Sequence, residues 1–234
     1  MQPLNDSGRS KPSVATRILI FLTFFVLIQL VPFMLTIIRG LPKAQLVGRS
    51  FAAAGYILGY VALIIVMVVC MKRVTDHPFW HRPSRNDLAY LFIAFVIFLA
   101  VEMVLSGLNS RLFGQTQTTN NAVIISLLKS DRWIFYLLMF SGIFLSPIIE
   151  ELLFRGYWIN SFFKPGTLWL PVITSGLIFS IAHASSNVVS FLIYACLGAI
   201  LAFIYRRTDN LVTSIGLHML NNLMAMSIMA VMLK

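Results

Sequence analysis

Long apolar runs alternate with short polar segments along the chain. The runs are Ile18–Ile38, Ser50–Met71, Leu88–Leu108 (in which Glu102 is the lone charge), Trp133–Ile149, Pro165–Tyr205 and Asn210–Leu233. A helix needs about 20 apolar residues to cross the hydrocarbon core of a bilayer. The run that begins at Pro165 has 41 residues, enough for two passes with a break at residues 184–187. The pattern therefore predicts an all-α polytopic membrane protein with about seven transmembrane helices.

The polar segments predict how these helices are grouped. Residues 1–17 are polar and basic, which indicates a disordered cytoplasmic tail. Three amino-terminal helices are expected within residues 18–108, an external loop at the polar residues 109–132, and a four-helix block within residues 133–234. The first apolar run exceeds the roughly 7–15 residues of a signal-peptide core and lacks a small-x-small site, which favours a retained helix over a cleaved signal peptide.

Composition excludes the water-soluble enzyme classes. Hydrophobic residues make up 59% of the chain and charged residues 11%, against about 45–50% and about 25% in soluble domains. The net charge is +10. Because the basic residues lie between the apolar runs, they predict contacts with the lipid bilayer and not with nucleic acid. Connections on the side of the amino terminus hold 11 of the 18 Lys and Arg residues, which places the amino terminus in the cytoplasm.

Ionisable side chains cluster in the carboxyl-terminal block. They are Glu150, Glu151, Arg155, His183 and His218, with the polar Asn222 beside them. A charge at membrane depth costs several kcal/mol or more unless it is paired or hydrated, so these residues indicate a functional site. If residues 164–166 form a cytoplasmic turn, Glu150 and His183 lie roughly 21 and 25 Å from it along their helices. This matched depth argues against the alternative that Glu150 merely caps a helix at the interface.

The two adjacent glutamates are expected to have different partners. Glu151 precedes Arg155 by four residues, which is the favourable order for a helical ion pair. Glu150 is turned about 100° away from Glu151 on the same helix. Glu150 is therefore free of that ion pair, and it is the candidate general base.

The same helical spacing recurs in the two later segments. Phe179 precedes His183 by four residues, and its ring is expected to shield the imidazole from lipid. Asn222 follows His218 at the same interval. An Asn side chain does not titrate usefully, but its amide donates hydrogen bonds, so Asn222 is a candidate for stabilising a developing oxyanion.

Three motifs occur in order on successive predicted helices. Glu150–Arg155 fits E-E-x-x-x-R, Phe179–His183 fits F-x-x-x-H, and His218–Asn222 fits H-x-x-x-N, with Phe-Arg-Gly at residues 154–156. Together they resemble the CPBP family, the CAAX-processing and bacteriocin-processing intramembrane endopeptidases that are also called the Abi family. The resemblance covers about residues 133–232. It implies a protein of a bacterial cytoplasmic membrane.

The resemblance also implies a role for each motif residue. Glu150 would activate a water molecule that His183 helps to hold, and His218 and Asn222 would stabilise the tetrahedral oxyanion. The implied catalytic residues are Glu150, His183, His218 and Asn222, and the supporting residues are Glu151, Arg155 and Phe179. The implied reaction is cleavage of a peptide bond in a membrane-associated or lipidated, CAAX-like peptide or protein.

A metal requirement and two other functions stay open at this stage. Glu150, His183 and His218 would supply a two-histidine, one-carboxylate zinc set with an open position. No H-E-x-x-H motif is present, so a water held directly by Glu and His is preferred, with no certain cofactor. The alternatives to a protease are a non-catalytic scaffold or bacteriocin self-immunity protein, and a small transporter. The complete motifs favour catalysis, and a transporter would need more polar residues than Glu102 in the first three helices.

Overall fold

The computed structural model describes residues 11–75 and 78–233, which are helical apart from short connections. The helices are α1 Val14–Leu30, α2 Met34–Gly40, α3 Leu46–Met71, α4 Arg85–Phe113, α5 Thr119–Ser130, α6 Arg132–Phe140, α7 Ser146–Glu151, α8 Trp158–Phe162, α9 Trp169–Ile181, α10 Val188–Thr208 and α11 Leu211–Val231. Six helical spans in the described ranges are long and apolar enough to cross a membrane, and α9 is a shorter apolar helix. The prediction of an all-α polytopic membrane protein is confirmed.

A proline interrupts the α-helical hydrogen bonding of the first span. Pro32 has no N–H to donate and crowds the preceding turn, and a 3₁₀ turn joins α1 to α2 at this point. Ser13 caps α1 by accepting a hydrogen bond from the Thr16 N–H at 3.1 Å. Residues 1–10 of the predicted tail lie outside the described residues, but the remainder, residues 11–17, already includes the first turn of α1.

The predicted external loop at residues 109–132 is corrected by the structure, since most of it is helical. The fourth helix, α4, continues to Phe113 and ends at Gly114, whose φ of 65° is a left-handed conformation that glycine adopts without strain. Thr118 then caps α5 by accepting from the Asn121 N–H. Of the polar residues that predict a loop, Thr118 forms the cap and residues 119–121 form the first turn of α5, and Leu128 further along the helix is buried.

One long span, Arg132–Phe162, carries both glutamates. It comprises α6, α7 and α8, with π-helical turns at residues 141–145 and 152–157 on either side of α7. A π-helical turn interrupts the regular succession of side chains around a helix, and such turns are frequent at functional sites. The two glutamates at the end of α7 therefore lie between two local departures from α-helical geometry.

A proline accounts for the first π-helical turn. The Ser146 N–H donates to the Ser141 carbonyl, five residues back. In the same register the next residue, Pro147, would donate to the Gly142 carbonyl, but proline has no N–H. The Gly142 carbonyl is thus left without its partner in the helix and is available to a donor from elsewhere.

Helices α9 and α10 form a hairpin whose close packing requires two glycines. A Cβ atom at Gly176 would lie 2.6 Å from the Ala195 carbonyl oxygen, and one at Gly198 would lie 2.9 Å from the Gly176 Cα. Real Cβ atoms do not approach this closely, so the two helices can lie this close only with glycine at both positions. The close approach also places the Gly198 carbonyl oxygen 2.8 Å from the Arg155 side chain.

Replacement of Gly198 by Ala is expected to destabilise the fold. The new methyl group overlaps α9, and overpacking of this kind costs about 1–3 kcal/mol. Gly107→Ala is the matched control, because a Cβ there meets nothing within 4 Å and Ala favours a helix over Gly by about 1 kcal/mol. Thermal unfolding in detergent should show a lower midpoint for G198A and an equal or higher one for G107A. Equal midpoints for G198A and the unsubstituted protein would contradict the packing described.

Candidate active site

A fully buried ion pair lies at the centre of the carboxyl-terminal helices. Arg155 Nη1 donates to Glu151 Oε1 at 2.8 Å, and both side chains are 0% exposed. The other terminal nitrogen, Nη2, donates to the Gly198 carbonyl at 2.8 Å, and the guanidinium lies 4.6 Å from the ring centroid of Phe179. A buried charge is costly unless it is paired and hydrogen-bonded, and these contacts meet both conditions for Arg155.

The Glu151 carboxylate also holds the last helix in place. Ser214 Oγ donates to Glu151 Oε2, and His218 Nδ1 lies 2.9 Å from Glu151 Oε1. A carboxylate can only accept, so Nδ1 of His218 carries the proton in this hydrogen bond. The contact fixes the imidazole, which is 2% exposed, with its Nε2 turned towards Glu150.

Glu150 has a different environment from its neighbour. Ser146, one turn earlier, donates its hydroxyl to Glu150 Oε1. Glu150 Oε2 is buried without a hydrogen-bond partner among the described residues, and it lies 3.9 Å from His218 Nε2. The side chain is 15% exposed. Glu150 therefore presents one fixed and one unpaired carboxylate oxygen, as expected for a glutamate outside the ion pair.

His183 lies just beyond the end of α9, whereas its i,i+4 spacing from Phe179 predicts a position on the helix. Its Nδ1 is 2.8 Å from the Phe179 carbonyl oxygen, which can only accept, so Nδ1 is protonated and Nε2 of the neutral ring is an acceptor. The ring centroids of His183 and Phe179 are 4.4 Å apart. On its other side the imidazole stacks on Tyr194 at 4.5 Å. These two aromatic rings fix its orientation.

The non-helical segment that carries His183 is tied down from the amino-terminal half. The Gln29 side chain of α1 donates to the Ala182 carbonyl at 2.6 Å. The Asn120 backbone N–H of α5 donates to the Ala184 carbonyl at 3.1 Å. Non-helical backbone within a membrane protein needs such partners, because lipid supplies none. The position of His183 thus depends on helices outside the carboxyl-terminal block.

Asn222 donates a hydrogen bond to the carbonyl that Pro147 leaves unpaired. Asn222 Nδ2 donates to the Gly142 oxygen at 2.8 Å, which orients the amide group. Its Oδ1 accepts from Asn221 Nδ2 at 3.3 Å. One of the two Nδ2 hydrogens is used in the bond to Gly142, so the second is available to another acceptor.

The predicted site residues meet at a single cavity of about 670 Å³. Those that line it are Glu150, Phe179, His183, His218 and Asn222. The remaining two, Glu151 and Arg155, are buried behind this lining. The cavity combines an unpaired carboxylate oxygen, an imidazole acceptor and an amide donor. This set of groups suits activation of a water molecule against a carbonyl group.

Three contributors were not identified from the sequence. Ser146 binds Glu150, Ser214 binds Glu151, and Tyr194 stacks on His183. A signal for the two serines exists, because Ser146 lies four residues before Glu150 and Ser214 four before His218, the spacing that selected Phe179. Tyr194 lies beyond the break between α9 and α10 and has no such signal.

The zinc alternative does not fit the arrangement. Within residues 11–75 and 78–233, no three His, Cys, Asp or Glu side chains are grouped closely enough to hold a metal ion. Glu151, the neighbouring carboxylate, offers no substitute ligand, because its oxygens are engaged by Arg155, Ser214 and His218.

Loss of Arg155 is expected to destabilise the protein more than loss of the whole ion pair. R155M leaves Glu151 as a buried carboxylate without its cation, which costs about 3–5 kcal/mol. Adding Glu151→Gln to R155M removes that charge and should restore part of the stability. Thermal unfolding in detergent of the two single variants and the double variant tests this. A double variant less stable than R155M would contradict the account.

The chain is similar to known proteins in two comparisons. Residues 132–224, from α6 into α11, match the family model described as "Type II CAAX prenyl endopeptidase Rce1-like". The protein named "Putative membrane peptidase YdiL" of Bacillus subtilis (strain 168) is 22% identical over 172 residues, which cover 71% of this chain and 67% of that protein. No solved structure matches the chain. Over residues 132–224 the chain is thus similar to Rce1-like CAAX prenyl endopeptidases, and both matches support a peptidase.

Proposed function

We propose that this protein is an intramembrane endopeptidase that hydrolyses a peptide bond of a membrane-associated or lipidated, CAAX-like peptide with a water activated by Glu150. The observation that carries the proposal is the unpaired Glu150 Oε2, buried at the cavity and 3.9 Å from His218 Nε2. An unpaired buried carboxylate oxygen is costly. A water molecule that donates a hydrogen bond to it would remove that cost and would lie where a general base needs it.

The hydrogen-bond directions support a shared hold on the water by two residues. Glu150 Oε2 accepts one hydrogen from the water. The second hydrogen is donated to His183 Nε2, which is an acceptor because Nδ1 is protonated in its bond to the Phe179 carbonyl. The water oxygen then directs a lone pair towards a peptide carbonyl carbon. As it attacks, one proton passes to Glu150, and the π electrons of the carbonyl move to its oxygen.

The oxyanion that forms would be stabilised by His218 and Asn222. Glu150 and Glu151 contribute two negative charges and Arg155 one positive charge, so a doubly protonated His218 makes this group neutral. In that form His218 Nδ1 donates to Glu151 and Nε2 donates to the oxyanion. The free Nδ2 hydrogen of Asn222 is the second donor. Collapse of the intermediate breaks the C–N bond, and Glu150 returns its proton to the leaving amine.

The surroundings of the site support a substrate that reaches it from the membrane. The cavity is walled on one side by apolar side chains of α4 and α11, among them Met103, Met226 and Met229. Methionine side chains adapt to irregular apolar ligands. The distribution of basic residues supports an amino terminus in the cytoplasm, and the family resemblance supports a bacterial cytoplasmic membrane. A nucleic-acid partner is not part of this proposal.

Glu150→Gln is expected to abolish cleavage while the protein stays folded. Gln retains an acceptor for Ser146 but cannot take a proton, and loss of a general base typically costs about 10²–10⁴-fold in rate. The measurement compares peptide carboxyl termini in membranes that contain the unsubstituted protein or E150Q, with thermal unfolding as the control for folding. If E150Q supports full function in a complementation assay, the non-catalytic scaffold or self-immunity alternative is the correct one.

Asn222→Asp is expected to lower kcat with a smaller effect on KM. The carboxylate cannot donate to the oxyanion, and removal of one such donor costs about 10²–10³ in kcat. Ser141→Ala is a suitable control because Ser141 also lines the cavity, where it bonds to Tyr56, but it has no part in the reaction proposed. Steady-state cleavage kinetics of both variants decide the matter. An effect of N222D confined to KM would argue for a role in substrate binding alone.

A further inference from the structure

The cavity extends beyond the proposed catalytic residues to a polar wall formed by α4. Glu102, Ser106 and Asn109 line it, and their spacing of four and three residues places them on one face of that helix. The first turn of α5 continues the wall with Asn120 and Asn121. All of these residues lie outside the segment that matches the family model, residues 132–224. The polar wall therefore needs an explanation separate from the shared chemistry.

Glu102 has no protein partner that would account for its place in an apolar helix. It is half-buried, and within the described ranges no hydrogen bond or ion pair joins it to another residue. It lies in the middle part of α4, a span long and apolar enough to cross a membrane. An ionisable residue at such a position is costly and indicates a function. Glu102 and Glu150 face the same cavity.

A second, independent group in the lining also lacks a partner. Asn221 is 6% exposed, and its Oδ1 is buried with no hydrogen bond from any described residue. Glu150 Oε2 is in the same condition. The unsatisfied groups of Asn221 and Glu150 are acceptors, and so is a Glu102 carboxylate. A ligand that completes this cavity is thus expected to bring hydrogen-bond donors.

The charge of the lining points the same way. None of the described residues that line the cavity is Lys or Arg, although the whole chain has 18 of them and a net charge of +10. Glu102 and Glu150 are the acidic residues in that lining, whereas Arg155 is buried behind it. Because Arg155 and a doubly protonated His218 balance Glu150 and Glu151, Glu102 is the carboxylate in that lining without a compensating cation among the described residues. At a half-buried position such a charge attracts a cation more strongly than it does in water.

We propose that Glu102 is a specificity-determining residue, and that its carboxylate binds the cationic side chain of a Lys or Arg at one fixed position of the substrate peptide. Ser106 and Asn109, on the same face of α4, complete the polar surroundings of that side chain. The inference rests on the proposed function, because it assigns a subsite to the same cavity. It deepens that function by naming a substrate class, peptides with a basic residue near the cleaved bond.

The test is a cleavage-site profile with the purified full-length protein in detergent. The probe is a library of N-acetylated hydrophobic peptides, and mass spectrometry reads the residues around each cut. The unsubstituted protein should enrich Lys or Arg at one position. For a matched pair of peptides with Lys or norleucine there, E102Q should lower the ratio of kcat/KM values by about tenfold to a hundredfold, as expected for loss of one partner of a buried charge pair.

Two further variants separate recognition from a general effect on the fold. E102K should shift the preference from basic to acidic residues at the same position, which a merely structural role of Glu102 would not do. Asp87→Asn is the matched control on the same helix, because Asp87 forms the capping box with Ser84 and does not line the cavity. D87N should keep the basic preference and the activity of the unsubstituted protein.

The outcomes distinguish this inference from the function on which it rests. Cuts without enrichment of a basic residue, or an enrichment unchanged in E102Q, overturn the role of Glu102 and leave the peptidase in place. A preference that appears only in a library with free amino termini assigns the cation to the peptide amino group and also overturns it. If the unsubstituted protein makes no cuts beyond those of E150Q, the proposed function fails, and this inference fails with it.

Discussion

The carboxylate of Glu151 is the group on which the rest of the site depends. It is fully buried and accepts hydrogen bonds from α11, through Ser214 and His218, as well as from Arg155 on its own helix. Through Arg155 the same network reaches the carbonyl of Gly198 in α10. Because removal of one partner of a buried ion pair is strongly destabilising, the ion pair constrains three spans at once. The imidazole of His218 is then positioned by the same contact that stabilises the fold.

The second constraint comes from Pro147, which has no N–H to donate. Pro147 leaves the Gly142 carbonyl unpaired in the helix, and the Asn222 amide takes its place at 2.8 Å. A break in the hydrogen bonding of one helix thus selects the rotamer of a side chain on another. Neighbouring helices and polar side chains commonly satisfy such carbonyls in membrane proteins. Here the hydrogen bond to the Gly142 carbonyl also orients the Asn222 amide as a donor at the cavity.

Helical spacing predicts contacts within one helix and little beyond it. The pairing of Glu151 with Arg155 follows from an interval of four residues, and so does the separate orientation of Glu150. The contacts of Glu151 with His218 and of Arg155 with Gly198 span 67 and 43 residues, and no local pattern encodes them. The error at residues 109–132 has a related cause, since Thr and Asn favour helix caps as well as loops. Spacing alone does not predict that the three motifs lie together in the fold. The family resemblance implies that they do.

The two halves of the chain contribute different groups to the lining of one cavity. The proposed chemistry resides in residues 132–224, where the buried ion pair allows little change. The wall built by α1, α4 and α5 holds the segment of His183 through Gln29 and Asn120 and exposes Glu102 to the same space. A substitution on the cavity face of α4 breaks no contact of Glu151. If Glu102 selects the substrate as proposed, selectivity can change through α4 while the proposed catalytic groups stay fixed, which is the arrangement expected where one reaction serves peptides of different sequence.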